Sequence, residues 1–340
     1  MHWGNNLKRL QVDMTSYCNA KCGACARNLN GGATVPGLKL QHFDTDIWHE
    51  LAEQTAGNLQ KLSLNGNWGD PGMHPQLIPM LETWIAFHED CDVVIHTNGG
   101  MHKPDWWSEL AGVLRNHRHR IIWSIDGIGK DHELYRRNTS YDRVIQNLRA
   151  FNSAGGNSEW IMTLWDHNYK DVDRAKALAT MLGCYWFQSR RNNSGDACPI
   201  KNDKGKTEYT LTAKEANEHG VFETIQLPNL QSVDKHSKRK DFPDQTVSKC
   251  PWYNQFEVQI DPFHRVWPCC NISIYGHIEG WPRNPTIDQS SILHDDFNDL
   301  QKHNIYDILD HEWYNTTLSN SIQNAKLAVC RNNCNVHKYQ

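Results

Sequence analysis

The first 190 residues repeat one pattern six times, a short β-rich run followed by a stretch with helical spacing, and this alternation restricts the fold more than any other feature. The runs are LQVDMTSY (10–17), KLSLNGN (61–67), DVVIHTNG (92–99), RIIWSIDG (120–127), EWIMTLWD (159–166) and CYWFQSR (184–190). Between them, Ile47, Leu51 and Ala52 share one face of DTDIWHELAEQTA. Val144, Leu148 and Phe151 share one face of SYDRVIQNLRAF, where Ser140 stands at the capping position. Such repeats predict a parallel α/β sheet, either open or rolled into a barrel.

Parallel α/β folds gather their active sites at the C-terminal ends of the strands. There the chain has YCNAKC after the first run, GNWGDPG after the second, HTNGG after the third and SIDGIG at the fourth. Gly, Asn and Asp are ordinary turn residues one at a time. Four such segments at one rim predict a site.

The first of these segments holds Cys18, Cys22 and Cys25. Cys-x3-Cys-x2-Cys on a loop lets three thiolates converge on one small object. Structural zinc wants four ligands, and no further His or Cys follows within a few residues. A four-iron cluster held by three cysteines leaves one iron open to a ligand. A zinc or redox-thiol cluster is the alternative.

Composition narrows the partners. The 340 residues carry a net charge of −4 with 22% charged residues, so no broad electrostatic footprint for nucleic acid is expected. The basic run KHSKRK at 235–240 sits in a polar stretch and reads as a solvated loop. Mean hydropathy is −0.70, and no apolar run approaches the ~20 residues of a membrane span. No apolar signal core is visible at the N-terminus, so a cytoplasmic location is expected, where 11 cysteines read as metal ligands or reactive thiols before disulfides. The 14 tryptophans read as packing residues.

From 191 to 249 the chain turns polar and reads as a connector with one short helix; residues 250–340 read as a second compact unit containing Cys250, Cys269, Cys270, Cys330 and Cys334. Cys91 and Cys184 read as packing cysteines, and Cys198 as structural.

With its order of motifs, CNAKCGAC resembles the signature of the radical S-adenosylmethionine (radical SAM) superfamily. The resemblance runs over residues 8–190, and Ala24 stands where that family usually has an aromatic residue. It implies a partial (β/α)6 TIM-like barrel in which Cys18, Cys22 and Cys25 hold a [4Fe–4S] cluster. The amino and carboxylate groups of S-adenosylmethionine (SAM) would chelate the open iron, and reductive cleavage would give a 5′-deoxyadenosyl radical that abstracts a substrate hydrogen. Gly69 and Asp70 of WGDP resemble the turn that meets the SAM amino group. Ser124 and Asp126 of SIDG, Arg136 of HELYRRN, and Thr97 and Asn98 of HTNGG resemble further cofactor contacts. A guanidinium fork suits a carboxylate.

CPWYNQFEVQIDPFHRVWPCC followed by CRNNC resembles the auxiliary-cluster domains of SPASM and twitch type, with His264 where a glycine is usual. That resemblance implies a small α+β iron–sulfur domain in which Cys250, Cys269, Cys330 and Cys334 hold one auxiliary [4Fe–4S] cluster, with Cys270 as the alternative to Cys269. A zinc site of four cysteines is the other possibility. Implied partners are a flavodoxin- or ferredoxin-type electron donor and a peptide or protein substrate. The alternatives are oxidation or rearrangement of a small molecule such as a sugar or alcohol, and a non-catalytic iron–sulfur or zinc protein. No general base is assigned; Asp166, His167 and Arg190 lie near expected strand ends.

Overall fold

The computed structural model describes residues 3–192, 195–228, 250–276 and 296–320. Its framework is six strands side by side in chain order: β1 (Arg9–Val12), β2 (Lys61–Leu64), β3 (Asp92–Thr97), β4 (Arg120–Ser124), β5 (Ser158–Thr163) and β6 (Trp186–Arg190). Every neighbouring pair among them is parallel. The return segments carry α1 (Thr45–Gln54), α2 (Leu77–Phe87), α3 (Pro104–Val113), the short α4 (Lys130–Tyr135), α5 (Tyr141–Ser153) and α6 (Val172–Met181). This is the parallel α/β sheet that the alternation predicts, in the partial (β/α)6 barrel form that the resemblance implies, and each strand falls within or beside its β-rich run.

Strand periodicity separates two faces. Val93, Ile95, Ile121, Trp123, Trp160 and Met162 point outward into one core shared with the helices. Tryptophans fill much of it, with Trp48 against Trp84 at 4.9 Å and Trp107 against Trp123 at 4.7 Å between ring centroids. Their N–H groups find acceptors: Trp48 donates to the Met80 carbonyl, Trp107 to that of Met101 and Trp123 to the Ser158 hydroxyl. The inward face is mixed. Val94, Ile122 and Ile161 form a small cluster of their own. At the N-terminal end of the lumen, Arg120 meets Glu159 at 2.7 Å, and Glu257 offsets the charges of Arg9 and Lys61.

In α5, Val144, Leu148 and Phe151 are buried as their spacing predicts. Burial of each contributes roughly 1.5–3 kcal/mol. The expected cap is different. Ser140 occupies the N-cap position, but its side chain makes no capping bond. Glu133, from the preceding helix, accepts from the Tyr141 N–H at 3.1 Å instead.

The polar stretch after β6 is more ordered than its composition suggests. It forms a hairpin, β7 (Ala197–Lys201) and β8 (Thr207–Thr212), then α7 (Lys214–His219), then β9 (Glu223–Gln226), which pairs antiparallel with β6. Residues 235–240 and Cys330 and Cys334 lie outside the described residues.

Beyond Cys250, α8 (Pro251–Gln255) leads into β10 (Glu257–Ile260) and β11 (Val266–Trp267). This hairpin joins the main sheet: β10 pairs in parallel with β1, Arg9 opposite Glu257 and Val12 opposite Ile260, and the strand order becomes β9-β6-β5-β4-β3-β2-β1-β10-β11. Val258, Ile260, Trp267, Ile305, Ile308 and Tyr314 belong to the same core as the barrel, and Trp3 packs edge-on against Tyr253 at 5.5 Å. At the hairpin turn His264 adopts φ 65°, the left-handed conformation that glycine takes without cost. Its ring stays in place by accepting from the Asp44 N–H at 3.0 Å.

Candidate cofactor and active site

The loop after β1 is pinned on both flanks. Ser16 donates to the Lys39 carbonyl at 2.9 Å, Tyr17 stacks on His42, and buried Arg27 donates from Nε to the Ser16 carbonyl at 3.0 Å. Lys21–Cys22 forms a two-residue antiparallel ladder with Arg136–Arg137, which ties the cysteine loop to the segment after α4. Within the loop, Cys25 N–H donates to the Cys22 carbonyl at 3.3 Å.

Cys22 is buried, and Cys18 and Cys25 are half-buried. Burial pushes the Cys22 thiol up to about 12 despite Arg136. Burial also raises Cys18, to which the charges of Asp70, Cys22 and Cys25 add, and it raises Cys25. Three thiols sensing one another in a desolvated loop form thiolates there only with a cationic partner. Two donors already face the sulfurs. Arg136 Nη1 lies 3.8 Å from Cys22 Sγ, and Asn98 Nδ2 lies 3.7 Å from Cys18 Sγ. Among the described residues no three His, Cys, Asp or Glu side chains stand close enough to share one metal ion. The donor set fits a [4Fe–4S] cluster.

The turn after β2 packs against the loop from the other side. A Cβ on Gly69 would lie 2.2 Å from the Thr15 carbonyl oxygen and 2.5 Å from that of Tyr17, so only glycine fits. Asp70 N–H donates to the Tyr17 carbonyl at 2.9 Å. Its buried carboxylate is fully engaged. Oδ1 accepts from Gly72 N–H and Thr97 Oγ1 at 3.0 and 2.9 Å, and Oδ2 accepts twice from Asn98, from N–H and Nδ2, each at 2.7 Å. Asp70 thus holds Thr97 and Asn98 in place, and Asn98 Nδ2 also donates to Asn19 Oδ1 at 2.9 Å.

On β4, Ser124 is half-buried at the strand end. Fully buried Asp126 accepts from Thr163 N–H at 2.5 Å through Oδ1 and from Arg136 Nε at 2.6 Å through Oδ2. Burial pushes its carboxyl up, but the Arg136 guanidinium overrides this and holds it below the usual range. Asp126 and Arg136 thus reach the loop at Cys22, Asp70, Thr97 and Asn98 reach it at Cys18, and Gly69 seats against its Thr15 and Tyr17 carbonyls. The three residues near strand ends are engaged elsewhere: Asp166 accepts from Ala216 N–H, His167 contacts the Asp131 carbonyl, and Arg190 donates to Thr163 Oγ1.

Several neighbours of the site are missed by motif reading. The β7–β8 hairpin lies on the cysteine loop: a Cβ on Gly23 would sit 2.2 Å from Ile200 Cδ1 and 3.4 Å from Cys198 Sγ. Ala24 packs against a small cluster that also includes Trp165, Ile200 and Tyr135, so aromatic rings from other segments belong to the same cluster as this position. Tyr135 and Trp165 lie 5.2 Å apart. Polar strands such as β7 and β8 give no alternation strong enough to predict this packing.

In the second cysteine set, Cys250 and Cys269 are buried in the main core, and half-buried Cys270 opens α9 (Cys270–Gly276).

A parallel half-barrel with a three-cysteine loop after its first strand is the fold of radical SAM enzymes, and the present chain has it. Among solved structures it is similar to Streptococcus suis SuiB bound to precursor peptide SuiA, with 12% identity, 93% of this chain and 68% of that chain covered, and a TM-score of 0.55. It is also similar to SuiB bound to S-adenosylmethionine, with 13% identity, 86% of this chain and 66% of that chain, and a TM-score of 0.52, so it spans about two thirds of SuiB. Native anSMEcpe with bound AdoMet has 12% identity, coverage of 90% and 81%, and a TM-score of 0.54. No protein-family model matches the chain, and no curated protein matches it significantly. Among the described residues no helix is long and apolar enough to cross a membrane.

Proposed function

We propose that this protein is a radical SAM enzyme that reductively cleaves SAM and abstracts a hydrogen atom from a peptide or protein side chain. The carrying observation is the convergence of Arg136 and Asn98 on the thiols of Cys22 and Cys18 at the C-terminal rim of the barrel. Cys18, Cys22 and Cys25 would hold a [4Fe–4S] cluster there, which when bound would supply one electron to the SAM sulfonium. Arg136 and Asn98 direct N–H groups at two of the sulfurs and moderate their charge.

For SAM itself, Nη2 of Arg136 has no partner among the described residues and is free for a carboxylate. The main-chain carbonyls of the Gly69 turn suit the SAM ammonium, while Asp70 acts through Thr97 and Asn98. Ser124 offers a hydroxyl at the same rim. A peptide substrate is favoured because SuiB, similar in fold, is solved with its precursor peptide. Cys250, Cys269, Cys330 and Cys334 are proposed to hold one auxiliary cluster, with an electron-relay or structural role, and reduction is assigned to a flavodoxin- or ferredoxin-type donor.

Anaerobic reconstitution with iron and sulfide tests the reading. Wild type is expected to hold about eight irons and the Cys18/Cys22/Cys25→Ala variant about four, at four per cluster. Only wild type should release 5′-deoxyadenosine from SAM and dithionite. Retention of zinc alone, or no SAM cleavage by wild type, would overturn it.

A further inference from the structure

We infer that Asp13, Asn65 and Gln259 form a subsite for a primary ammonium group of the substrate. The inference deepens the enzyme reading and rests on it only for the word substrate.

The sheet register brings these side chains together. Val12 lies opposite Leu64 on one side and Ile260 on the other, and all three point outward into the core. The next residue on each strand therefore turns inward, which sets Asp13 between Asn65 and Asp261 at about 4.8 Å per strand. Pairing continues to this row: Asp13 N–H donates to the Ile260 carbonyl at 2.9 Å, and Asn65 N–H to that of Val12 at 3.2 Å. Gln259 faces inward one row below. The row ends the strands on the side that also bears the three thiols.

Among the described residues, each of the three side chains presents an acceptor atom with no well-aligned donor. Asp13 is fully buried; its Oδ1 takes a bond from Asn67 N–H at 3.2 Å, the Gln259 amide also lies against the carboxylate, and Oδ2 has no well-aligned donor among the described residues. Gln259, also fully buried, is oriented by the bond from Nε2 to the Ile260 carbonyl, and its Oε1 has no partner. Asn65 Oδ1 is buried and unpartnered as well. Leaving such atoms unsatisfied costs about 1–3 kcal/mol each, so a cluster of three points to a missing donor.

The chemistry of that donor follows from number and charge. Asp261, whose carboxylate accepts from Phe263 N–H, Arg265 N–H and Trp267 Nε1, adds negative potential beside Asp13. A hydroxyl supplies one donor and a quaternary ammonium none. A primary ammonium supplies three, with a positive charge. Burial raises the Asp13 carboxyl well above its usual value, and a bound cation would reverse that.

The test uses anaerobically reconstituted protein with n-butylammonium as probe and n-butanol and tetramethylammonium as controls, read as saturable shifts in Tm. Wild type should respond to n-butylammonium alone. Asp13→Asn should fold with a Tm at or above wild type and lose at least about tenfold in amine affinity. Gln259→Met, of similar volume, should also weaken the amine. SAM binding, measured by equilibrium dialysis, should be unchanged in both variants. No amine response in wild type would mean that the acceptors hold water, and would overturn the inference. An equal response in both variants would also overturn it. So would parallel loss of SAM, which would assign the acceptors to the cofactor's own ammonium. Release of 5′-deoxyadenosine by wild type is scored separately, so amine binding without SAM cleavage would sink the enzyme reading alone.

Discussion

Arg136 donates from Nε to Asp126 Oδ2 at 2.6 Å, while Nη1 of the same guanidinium reaches to 3.8 Å from the Cys22 sulfur. One buried cation thus neutralises a fully buried carboxylate and faces a thiol. Arg136→Met should destabilise the apoprotein by about 3–5 kcal/mol in urea denaturation, because Asp126 would be left charged and unpaired. Arg136→Lys keeps the charge without the fork; it should retain iron after reconstitution and lose roughly tenfold or more in SAM affinity.

Asp70 accepts four bonds and Asn can accept only two, so Asp70→Asn turns an amide group toward donors. The expected cost is about 1–3 kcal/mol of stability. Because Thr97 and Asn98 are the groups released, the variant should also hold its barrel-loop cluster less tightly. Faster iron loss to a chelator than in wild type would show this; an unchanged rate would place Asp70 outside the support of the loop.

Two glycines give opposite expectations for one substitution. Gly69→Ala places a methyl against the carbonyls of Thr15 and Tyr17 and should prevent the turn from seating on the cysteine loop, with SAM binding lost. Gly112 lies inside α3 with no atom nearer than 3.7 Å to a built Cβ. Gly112→Ala should raise stability by roughly 0.5–1 kcal/mol through helix propensity. Thermal melts of both variants check the pair.

Acid should weaken the fold through buried histidines. Burial holds His88, His119 and His132 at about 4, against an ordinary 6.5. Between pH 6.5 and 4 the unfolded chain takes up protons that the folded chain refuses, so stability present above 6.5 is lost as pH falls. Each histidine contributes about 1.4 kcal/mol per pH unit across that window. His88→Phe should show a shallower fall in Tm between pH 6.5 and 4 than wild type.

The six barrel strands and the thiol loop were legible because both are local. A short β-branched run such as Val93-Val94-Ile95 marks a strand without reference to anything distant, and three cysteines in eight residues need no partner to be seen. Ser140 was a reasonable cap by type, but whether Glu133 reaches the same helix end depends on how α4 is set down. Asp13 lies inside a β-rich run that gives it no distinction of its own. Its significance comes from Asn65 and Gln259, which only sheet register brings beside it. The β7–β8 hairpin was hidden for the reverse reason: its outward residues are polar, and the few that pack, such as Ile200, pack on a loop.

The parallel pairing of β1 with β10 has a consequence for how the protein is made. Arg9 and Glu257 are neighbours in the sheet yet lie far apart along the chain. At ribosomal speeds of about 5–20 residues per second, β1 waits on the order of tens of seconds for the strand that completes its hydrogen bonds. The loop bearing Cys18, Cys22 and Cys25 hangs from that strand throughout the interval. Its final seating, and any loading that depends on it, waits for residue 257, and a chain truncated before that point would carry an unpaired edge at the foundation of its barrel.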